Sequence, residues 1–244
     1  MTEQKKRFNS MAQEYDSHAP IIVPNYNELQ EVICQIIENS QKNKIRVMDI
    51  GAGSGILMKK IADRFDSECT IQDFSEEFIK IAKEKLKGKK AEFVISDLAS
   101  KEWNKNIKPG FDVIVSSIAI HHLQDERKKE LYKEIFEMLN KGGVFINGDE
   151  IRGESEPIYF MYLKHWSDYF IEKCKKGEVS EKMTEVLEKY VERNITNFGK
   201  PDPNPKDIHC GMVKQIQWLQ EAGFKGSECF WKKYLFAVFG GFKE

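Results

Sequence analysis

Short apolar runs alternate with amphipathic stretches along the chain from residue 45 onward. The apolar runs predict five strands, at 45–50, 70–74, 91–95, 111–116 and 144–147. Between them, 56–65, the segment that follows Ser75, and 125–139 carry apolar residues three and four positions apart, which is typical of helices packed on one face. The run 111–116 is nearly continuous in apolar residues and indicates a parallel strand buried on both faces. We therefore expect a doubly wound α/β fold, with a parallel sheet covered by helices.

The pattern changes character after the fifth predicted strand. Residues 157–193 contain two helix-like stretches, the first rich in aromatic side chains, and 198–207 form a loop containing Pro, Asn and Asp. A last helix is predicted at 212–222. The segments 228–231 and 234–239 predict two strands joined by a short turn, and such a pair is antiparallel.

These elements predict one domain over the 244 residues. A helical cap at 1–40 precedes a core formed by 41–153 and 208–244, and a helical lid at 154–207 is inserted after the fifth strand. Hydrophobic residues make up 41% of the chain and charged residues 32%, which is ordinary for a soluble globular protein.

Charge and cysteine content narrow the class of protein. The formal net charge of −1 provides no basic field for nucleic acid or an anionic membrane, and no apolar run has the length of a membrane span. The five cysteines are scattered, and none forms a C-x-x-C pair. This distribution argues against a disulfide framework and against a zinc site, and it fits the reducing cytoplasm. We expect a soluble cytoplasmic protein without a bound metal.

A glycine-rich turn between a predicted strand and a predicted helix is the strongest chemical signal. Its glycines are Gly51, Gly53 and Gly55, and such a turn lets a ligand approach the backbone closely. A dinucleotide fold requires a third glycine at the position of Ile56. The acid Asp49, just before the turn, favours a ligand with an amino group over one with a pyrophosphate. S-adenosylmethionine carries such an ammonium group, whereas NAD carries the pyrophosphate.

Two further acids follow the next two strands. Asp73 ends the second strand, where an acid can accept hydrogen bonds from both hydroxyls of a ribose. The alternative for Asp73 is a simple helix cap. Asp97 follows the third strand and is placed to accept from an adenine amino group.

As an ordered set, these motifs resemble the class I S-adenosylmethionine-dependent methyltransferases, and most closely their small-molecule branch with the ubiquinone/menaquinone-type enzymes. The set comprises Asp49-Ile50-Gly51-Ala52-Gly53-Ser54-Gly55, Asp73-Phe74-Ser75, Ser96-Asp97-Leu98, the segment 116–123 and Lys141-Gly142-Gly143. The segment 8–16 also resembles the lead into their N-terminal cap. The resemblance covers about 8–150 and 210–242, and the lid lies outside it.

The resemblance implies a seven-stranded sheet with an antiparallel seventh strand, S-adenosylmethionine as the cofactor and S-adenosylhomocysteine as the product. The Gly51–Gly55 turn, with Ala52, would then hold the amino acid part of the cofactor. Asp73 would hold the ribose, and Phe74, Asp97 and Leu98 would contact the adenine. Ser116 and Tyr15 would lie at the methionine end.

The acceptor side gives weaker signals. His122 follows the fourth strand at the edge where ligands bind, and it is the candidate proton acceptor, although packing is the alternative. His18 in the cap and Glu150 after the fifth strand are candidate substrate contacts. In the lid, Tyr159, Tyr162 and Trp166 offer aromatic faces for a closed, mostly apolar pocket, and core packing is again the alternative.

We expect methyl transfer to oxygen, nitrogen or carbon of a small molecule by in-line displacement, which chiefly needs an aligned nucleophile and exclusion of water. A tRNA- or protein-modifying enzyme using S-adenosylmethionine or a derivative is the first alternative, and a nucleoside-binding module without catalysis is the second. The oligomeric state stays open.

Overall fold

A computed structural model describes residues 12, 15–40, 44–202 and 205–244. One seven-stranded sheet runs through the molecule with the strand order β3-β2-β1-β4-β5-β7-β6. The strands are β1 (Ile45–Ile50), β2 (Ser67–Asp73), β3 (Ala91–Ile95), β4 (Phe111–Ser117), β5 (Leu139–Glu150), β6 (Lys225–Lys233) and β7 (Phe236–Phe242). Strands β1 to β5 pair in parallel, whereas β7 is antiparallel to both of its neighbours. The expectation of an antiparallel last strand is confirmed.

Seven α-helices that lie wholly within the described residues flank this sheet. They are α1 (Tyr26–Ser40), α2 (Ile56–Arg64), α3 (Glu76–Lys85), α4 (Asp125–Met138), α5 (Glu156–Lys175), α6 (Glu181–Val191) and α7 (Met212–Ala222). A further helical segment at 15–22 precedes α1, and a π-helical turn at Glu192–Thr196 continues α6. None of the described helices has the length and apolar character to cross a membrane.

Most predicted boundaries agree with the structure within a few residues, and the ends follow the expected local chemistry. Ser75 caps α3 by accepting from the amide of Phe78. Gly223, at a φ of 111°, ends α7 in the left-handed conformation that glycine adopts most easily. Helix α4, by contrast, ends without a glycine cap. Leu139 is already extended at the helix end, and the residues up to Gly143 belong to β5.

Two layers of apolar side chains, one on each face of the sheet, form the core. Helix α1 packs closely on β5, because the absent side chain of Gly148 leaves room for Leu29; a Cβ at Gly148 would lie 2.6 Å from the Leu29 Cδ2 atom. The lid helix α5 is tied to the cap, since the Trp166 indole donates to the carbonyl of Ile22 at 2.9 Å. Cap and lid therefore stand together at one edge of the sheet.

Candidate active site

The glycine turn after β1 is held against the end of β2 by hydrogen bonds. The amide of Gly51 donates to Gln72 Oε1 at 3.0 Å, and the amide of Gly53 donates to Asp73 Oδ2 at 2.8 Å. All three glycines of the turn have positive φ values, of 63°, 54° and 76°. A Cβ at Gly51 would lie 2.5 Å from the Cβ of Ala119, so this glycine also lets the loop after β4 approach.

A cavity of about 290 Å³ lies beside this turn. Ten residues that the sequence assigned to the site line it: Tyr15, Asp49, Gly51, Ala52, Gly53, Asp73, Phe74, Asp97, Leu98 and His122. Parts of the cap, the glycine turn and the ends of β2, β3 and β4 thus meet around one space, as the parallel sheet requires at its carboxyl edge.

Two of the assigned cofactor contacts lie outside the cavity lining. Gly55 begins α2, and a Cβ there would lie 3.2 Å from the Cβ of Ala82 in α3, so its small size serves helix packing. Ser116 is fully buried and donates its hydroxyl to the carbonyl of Ile50 at 2.9 Å, which ties β4 to β1. Its neighbour Ser117 lines the cavity instead.

Asp49 is a buried acid on the cavity whose carboxylate has no hydrogen-bond donor among the described residues. Its side chain is 1% exposed, and neither carboxylate oxygen has a hydrogen-bond donor among the described residues. Burial, reinforced by the nearby Asp73 carboxylate, raises its pKa well above the ordinary value. A buried carboxylate without a donor is costly unless a ligand supplies one. Its position on the cavity fits a ligand with a positively charged amino group.

Asp73 differs from Asp49 because backbone amides already satisfy it. It accepts from Gly53 and, through Oδ1, from the amide of Ser75 at 2.8 Å. Burial raises the pKa of Asp73 to about 6 in spite of these hydrogen bonds, which lower it. Asp73 therefore both holds the glycine turn and presents a carboxylate on the cavity wall.

The cap closes the cavity from above the turn. Asp16 binds the Ser54 hydroxyl and the Lys85 ammonium, and Lys85 also reaches the Ser54 hydroxyl at 3.2 Å. Tyr15 lines the cavity and packs edge-to-face on Phe78, with ring centroids 5.4 Å apart. His18 is half-buried in the same helical segment but is not part of the lining.

The loop after β4 forms the opposite wall. Ile118 has a φ of 54°, an unfavourable value for a β-branched residue that costs about 1–3 kcal/mol and is typical of functional sites. His122 Nδ1 donates to the carbonyl of Lys206 at 2.9 Å, so in the neutral ring Nε2 is a hydrogen-bond acceptor. Burial and the neighbouring His121 lower the pKa of His122.

His121 lies beneath this wall and outside the cavity lining. Its Nδ1 and its backbone amide both contact the Asp149 carboxylate, at 2.6 and 3.0 Å. Burial opposes a charge on the ring, but Asp149, Glu150 and Asp207 outweigh it and raise the pKa of His121 to about 9.

The lid aromatics do not reach the cavity lining. The Tyr162 hydroxyl accepts from Lys232 at 2.7 Å, and Trp166 packs against Tyr190 with ring centroids 3.9 Å apart. Tyr159 contacts His209, which in turn binds Glu150, each at 2.7 Å. None of these three side chains lines this cavity, since they take part in packing and in hydrogen bonds beneath the lid, and their role toward a substrate stays a prediction.

Sequence reasoning missed several lining residues. Tyr26 at the start of α1, Phe78 in α3 and Ile118 all face the cavity. Gln72 carried a detectable signal, because it is a polar residue directly before Asp73 at the carboxyl end of β2, and it bridges the Gly51 amide to the Ser96 carbonyl. Tyr26 and Ile118 carried none, since an aromatic or β-branched residue is ordinary at these positions.

Comparisons with known proteins agree with this geometry. The family model described as a methyltransferase domain matches residues 47–143, which include the glycine turn, Asp73, Asp97 and His122. Residues 47–143 therefore match a methyltransferase domain. The resemblance to S-adenosylmethionine-dependent methyltransferases found in the sequence is confirmed, and the chain is an enzyme that uses S-adenosylmethionine.

The similarity to known proteins extends beyond the residues that the family model matches. A carboxy-S-adenosyl-L-methionine synthase of Nautilia profundicola is 25% identical over 228 residues, which cover 91% of this chain and 87% of that protein. The solved DhpI complex with SAM and HEP has a TM-score of 0.61 at 14% identity and covers 96% of this chain and 94% of its own. A phosphoethanolamine N-methyltransferase 2 of Haemonchus contortus, solved with phosphomonomethylethanolamine and S-adenosylhomocysteine, has a TM-score of 0.62 at 16% identity over 93% of this chain. This chain spans about half of that longer protein, 46%.

The residues on the cavity fit the cofactor. Among the residues that the structure describes, the buried oxygens of Asp49 have no donor, which matches an ammonium group, and a Cβ at Gly53 would meet no atom within 4 Å. Asp97, exposed at the edge of the cavity, accepts from the amide of Ala99 at 2.9 Å through Oδ1.

Proposed function

We propose that this enzyme methylates an oxygen, nitrogen or carbon atom of a small molecule bound on the His122 side of the cavity. Asp49 and the glycine turn bind the amino acid part of the cofactor, Asp73 binds the ribose, and Phe74, Asp97 and Leu98 hold the adenine. Bound S-adenosylmethionine supplies an activated methyl group, so the protein itself must align the acceptor and exclude water.

The observation that carries this proposal is the position of His122 and Tyr15 on the cavity that Asp49 and Asp73 also line. Tyr15 from the cap covers the space and excludes water. His122 accepts the acceptor's proton at Nε2, because its Nδ1 hydrogen is engaged by the Lys206 carbonyl. Acceptors that carry no acidic proton do not need this step.

A turnover assay with the purified full chain tests the proposal. S-adenosylmethionine is supplied with a panel of small hydroxyl, amine and carboxylic acid compounds, and S-adenosylhomocysteine and the methylated product are measured by mass spectrometry. We expect one acceptor class to give equimolar methylated product and S-adenosylhomocysteine, with His122→Gln lowering kcat by about 10²–10⁴-fold at unchanged cofactor affinity. Cofactor binding without turnover of any small acceptor, together with turnover of tRNA or protein, would favour the polymer-modifying alternative.

A second function is supported by the carboxy-S-adenosyl-L-methionine synthase similarity, which extends over most of both chains. In that case the cofactor itself is the molecule modified, and no S-adenosylhomocysteine accumulates. The same mass spectra decide between the two, because a carboxylated cofactor is heavier than S-adenosylmethionine whereas S-adenosylhomocysteine is lighter. A chain that binds the cofactor and produces neither would be a binding module.

We also propose that the enzyme works in the cytoplasm and does not bind nucleic acid. The support is the near-neutral net charge, since phosphate binding requires basic residues, and the five cysteines, which are free thiols. Including tRNA in the acceptor panel tests the second part.

A further inference from the structure

Three side chains whose nitrogen or oxygen atoms can bind a metal ion lie close together behind the cavity wall that contains His122. His121 and His122 follow β4, and Asp207 arrives from the loop before α7. One ring nitrogen of each histidine and one carboxylate oxygen of Asp207 lie within 4.8 Å of one another. The side chain of His121 is 4% exposed, that of Asp207 15% and that of His122 18%, so the group is shielded from bulk water.

Both histidines face the same oxygen of Asp207 at distances that suit an intervening ion. His122 Nδ1 lies 3.4 Å and His121 Nε2 lies 3.9 Å from Asp207 Oδ1. The second distance is too long for a hydrogen bond. Two ligands on a tetrahedral zinc ion are about 3.4 Å apart, given metal–ligand bonds of about 2.0–2.2 Å. We propose that His121, His122 and Asp207 form a binding site for a divalent first-row transition metal ion.

The surroundings are those that orient metal ligands. His121 directs Nδ1 to the Asp149 carboxylate at 2.6 Å, which leaves Nε2 toward Asp207, and a carboxylate of this kind typically fixes a metal-binding histidine. The other oxygen of Asp207, Oδ2, binds Arg193 and is held in place. The Lys206 carbonyl, 2.9 Å from His122 Nδ1, must either move away or become a further oxygen ligand.

The donor set selects among ions. Two imidazoles and one carboxylate suit Zn²⁺, Co²⁺ or Ni²⁺, whereas Mg²⁺ and Ca²⁺ prefer oxygen ligands. The site lacks cysteine, and Asp207 lies 85 positions after His122 in the chain, so no short sequence motif marks it.

A metal ion bound at this site would change which nitrogen of His122 carries the ring proton. The consequence for methyl transfer rests on the proposed function. A metal bound at Nδ1 leaves the ring's single proton on Nε2, so the ring then donates toward the cavity instead of accepting from it. The ion-bound enzyme therefore lacks the proton acceptor, and we expect the ion to slow methyl transfer to acceptors with an acidic proton.

Metal binding is tested on the full chain without cofactor or acceptor. Zinc chloride is titrated by calorimetry into chelator-treated protein, and Co²⁺ absorption reports nitrogen and oxygen coordination. We expect one ion per chain, a loss of affinity of about 10–100-fold or more in Asp207→Asn, and less than about twofold change in the matched control Asp202→Asn on the same loop. Absence of binding, or equal affinity in Asp207→Asn and the wild type, overturns the site.

A second variant covers the case in which Asp207→Asn fails to fold. His122→Gln changes a less buried ligand and must weaken Zn²⁺ binding in the same way, and wild-type affinity in this variant also overturns the proposal. Methyl transfer at saturating Zn²⁺ is measured separately. An unchanged rate there overturns the proton-acceptor role of His122 but not the metal site, whereas failed binding leaves the proposed function untouched.

Discussion

The two walls of the cavity are built differently. The cofactor wall comes from β1, the glycine turn and the end of β2, so its key residues, from Asp49 to Asp73, lie close together in the chain. The acceptor wall is the loop after β4, and Asp149, Glu150, Asp207 and the lid lie behind it, outside the cavity lining. On the cofactor wall a buried carboxylate lacks a donor among the described residues, whereas behind the acceptor wall His121, His209 and Tyr159 are already hydrogen-bonded. The cofactor wall therefore offers a ligand a carboxylate that has no donor among the described residues. The acceptor wall is instead held by hydrogen bonds within the protein.

Gly51→Ala should damage the cofactor wall most. A methyl group there would lie 2.5 Å from the Cβ of Ala119, at a φ of 63° that alanine avoids. We expect the free energy of unfolding to fall by about 2–5 kcal/mol, from backbone strain and overpacking together, and cofactor affinity to fall by about 100-fold. Chemical denaturation and calorimetry measure the two effects.

Gly88→Ala is the matched control for Gly51→Ala. Its φ of 83° imposes similar backbone strain, but a Cβ there would meet no atom of the described residues within 4 Å. It should cost about 1–2 kcal/mol of stability and leave cofactor affinity unchanged. Equal effects of the two substitutions would show that strain alone, and not the contact with the loop after β4, makes Gly51 necessary.

Asp49→Asn should separate binding from folding on the same wall. The amide keeps the shape but removes the charge, so the ammonium of the cofactor loses a charge-assisted hydrogen bond of about 1.5–3 kcal/mol, or about 10–150-fold in affinity. The ligand-free chain should become more stable, since a buried carboxylate without a described donor is removed. Methylthioadenosine, which lacks the amino acid part, should bind both proteins equally. A loss for this ligand as well would mean that Asp49 acts through the shape of the turn.

The difference between the walls explains what the sequence could predict. The glycine spacing, Asp49 and Asp73 are local features of one strand–turn–helix–strand unit, so their meeting follows from the rule that parallel strands end at one edge. The same rule placed Asp97, Leu98 and His122 on the cavity. Ser116 lies one position from the lining residue Ser117, because alternate residues of a strand point to opposite faces.

The acceptor wall could not be predicted in this way. Its contacts join residues far apart in the chain, such as His122 with Lys206 and Tyr159 with His209. Which face of α5 turns inward depends on how the lid packs on the cap, and the aromatic residues give no preference because they suit a core as well as a pocket. The sequence pattern assigned the lid residues Tyr162 and Trp166 to the substrate. In the structure their hydrogen bonds join α5 to β6 and to the cap.

Cofactor affinity should depend on pH through Asp73. Its pKa of about 6 lies above the ordinary value of 3.8, so the carboxylate protonates as pH falls through 6, and affinity should drop by about tenfold per pH unit below it. The effect of Asp73 on folding stability has the opposite dependence on pH. The raised pKa means that the folded chain holds this proton more tightly, so the Asp73 contribution to stability increases as pH falls from 6 toward 3.8.

The difference between wild type and Asp73→Asn isolates both effects from other titrating groups. Calorimetric affinity and denaturant unfolding of the two proteins, each measured over the same pH series, should show the pH dependence only in the wild type. Parallel curves for the two proteins would assign any pH dependence to another group, with Asp49 the first to examine, because its pKa is also raised by burial.

Tyr159→Phe should give the smallest effect and decides whether the brace on the acceptor wall matters for function. The change removes only the hydroxyl that contacts His209 Nδ1 at 2.7 Å, and it leaves the ring and its packing against Phe198. If the contact from Tyr159 through His209 to Glu150 positions the loop that carries Asp207 and Lys206, loss of the hydroxyl should lower kcat/KM for the acceptor by about three- to tenfold, or about 1 kcal/mol, without changing cofactor affinity. Tyr162→Phe is the matched control, because its hydroxyl contacts Lys232 on β6 and should leave both constants unchanged. Equal kinetics for the two variants would mean that the hydrogen bonds beneath the lid stabilise the fold without organising the acceptor wall.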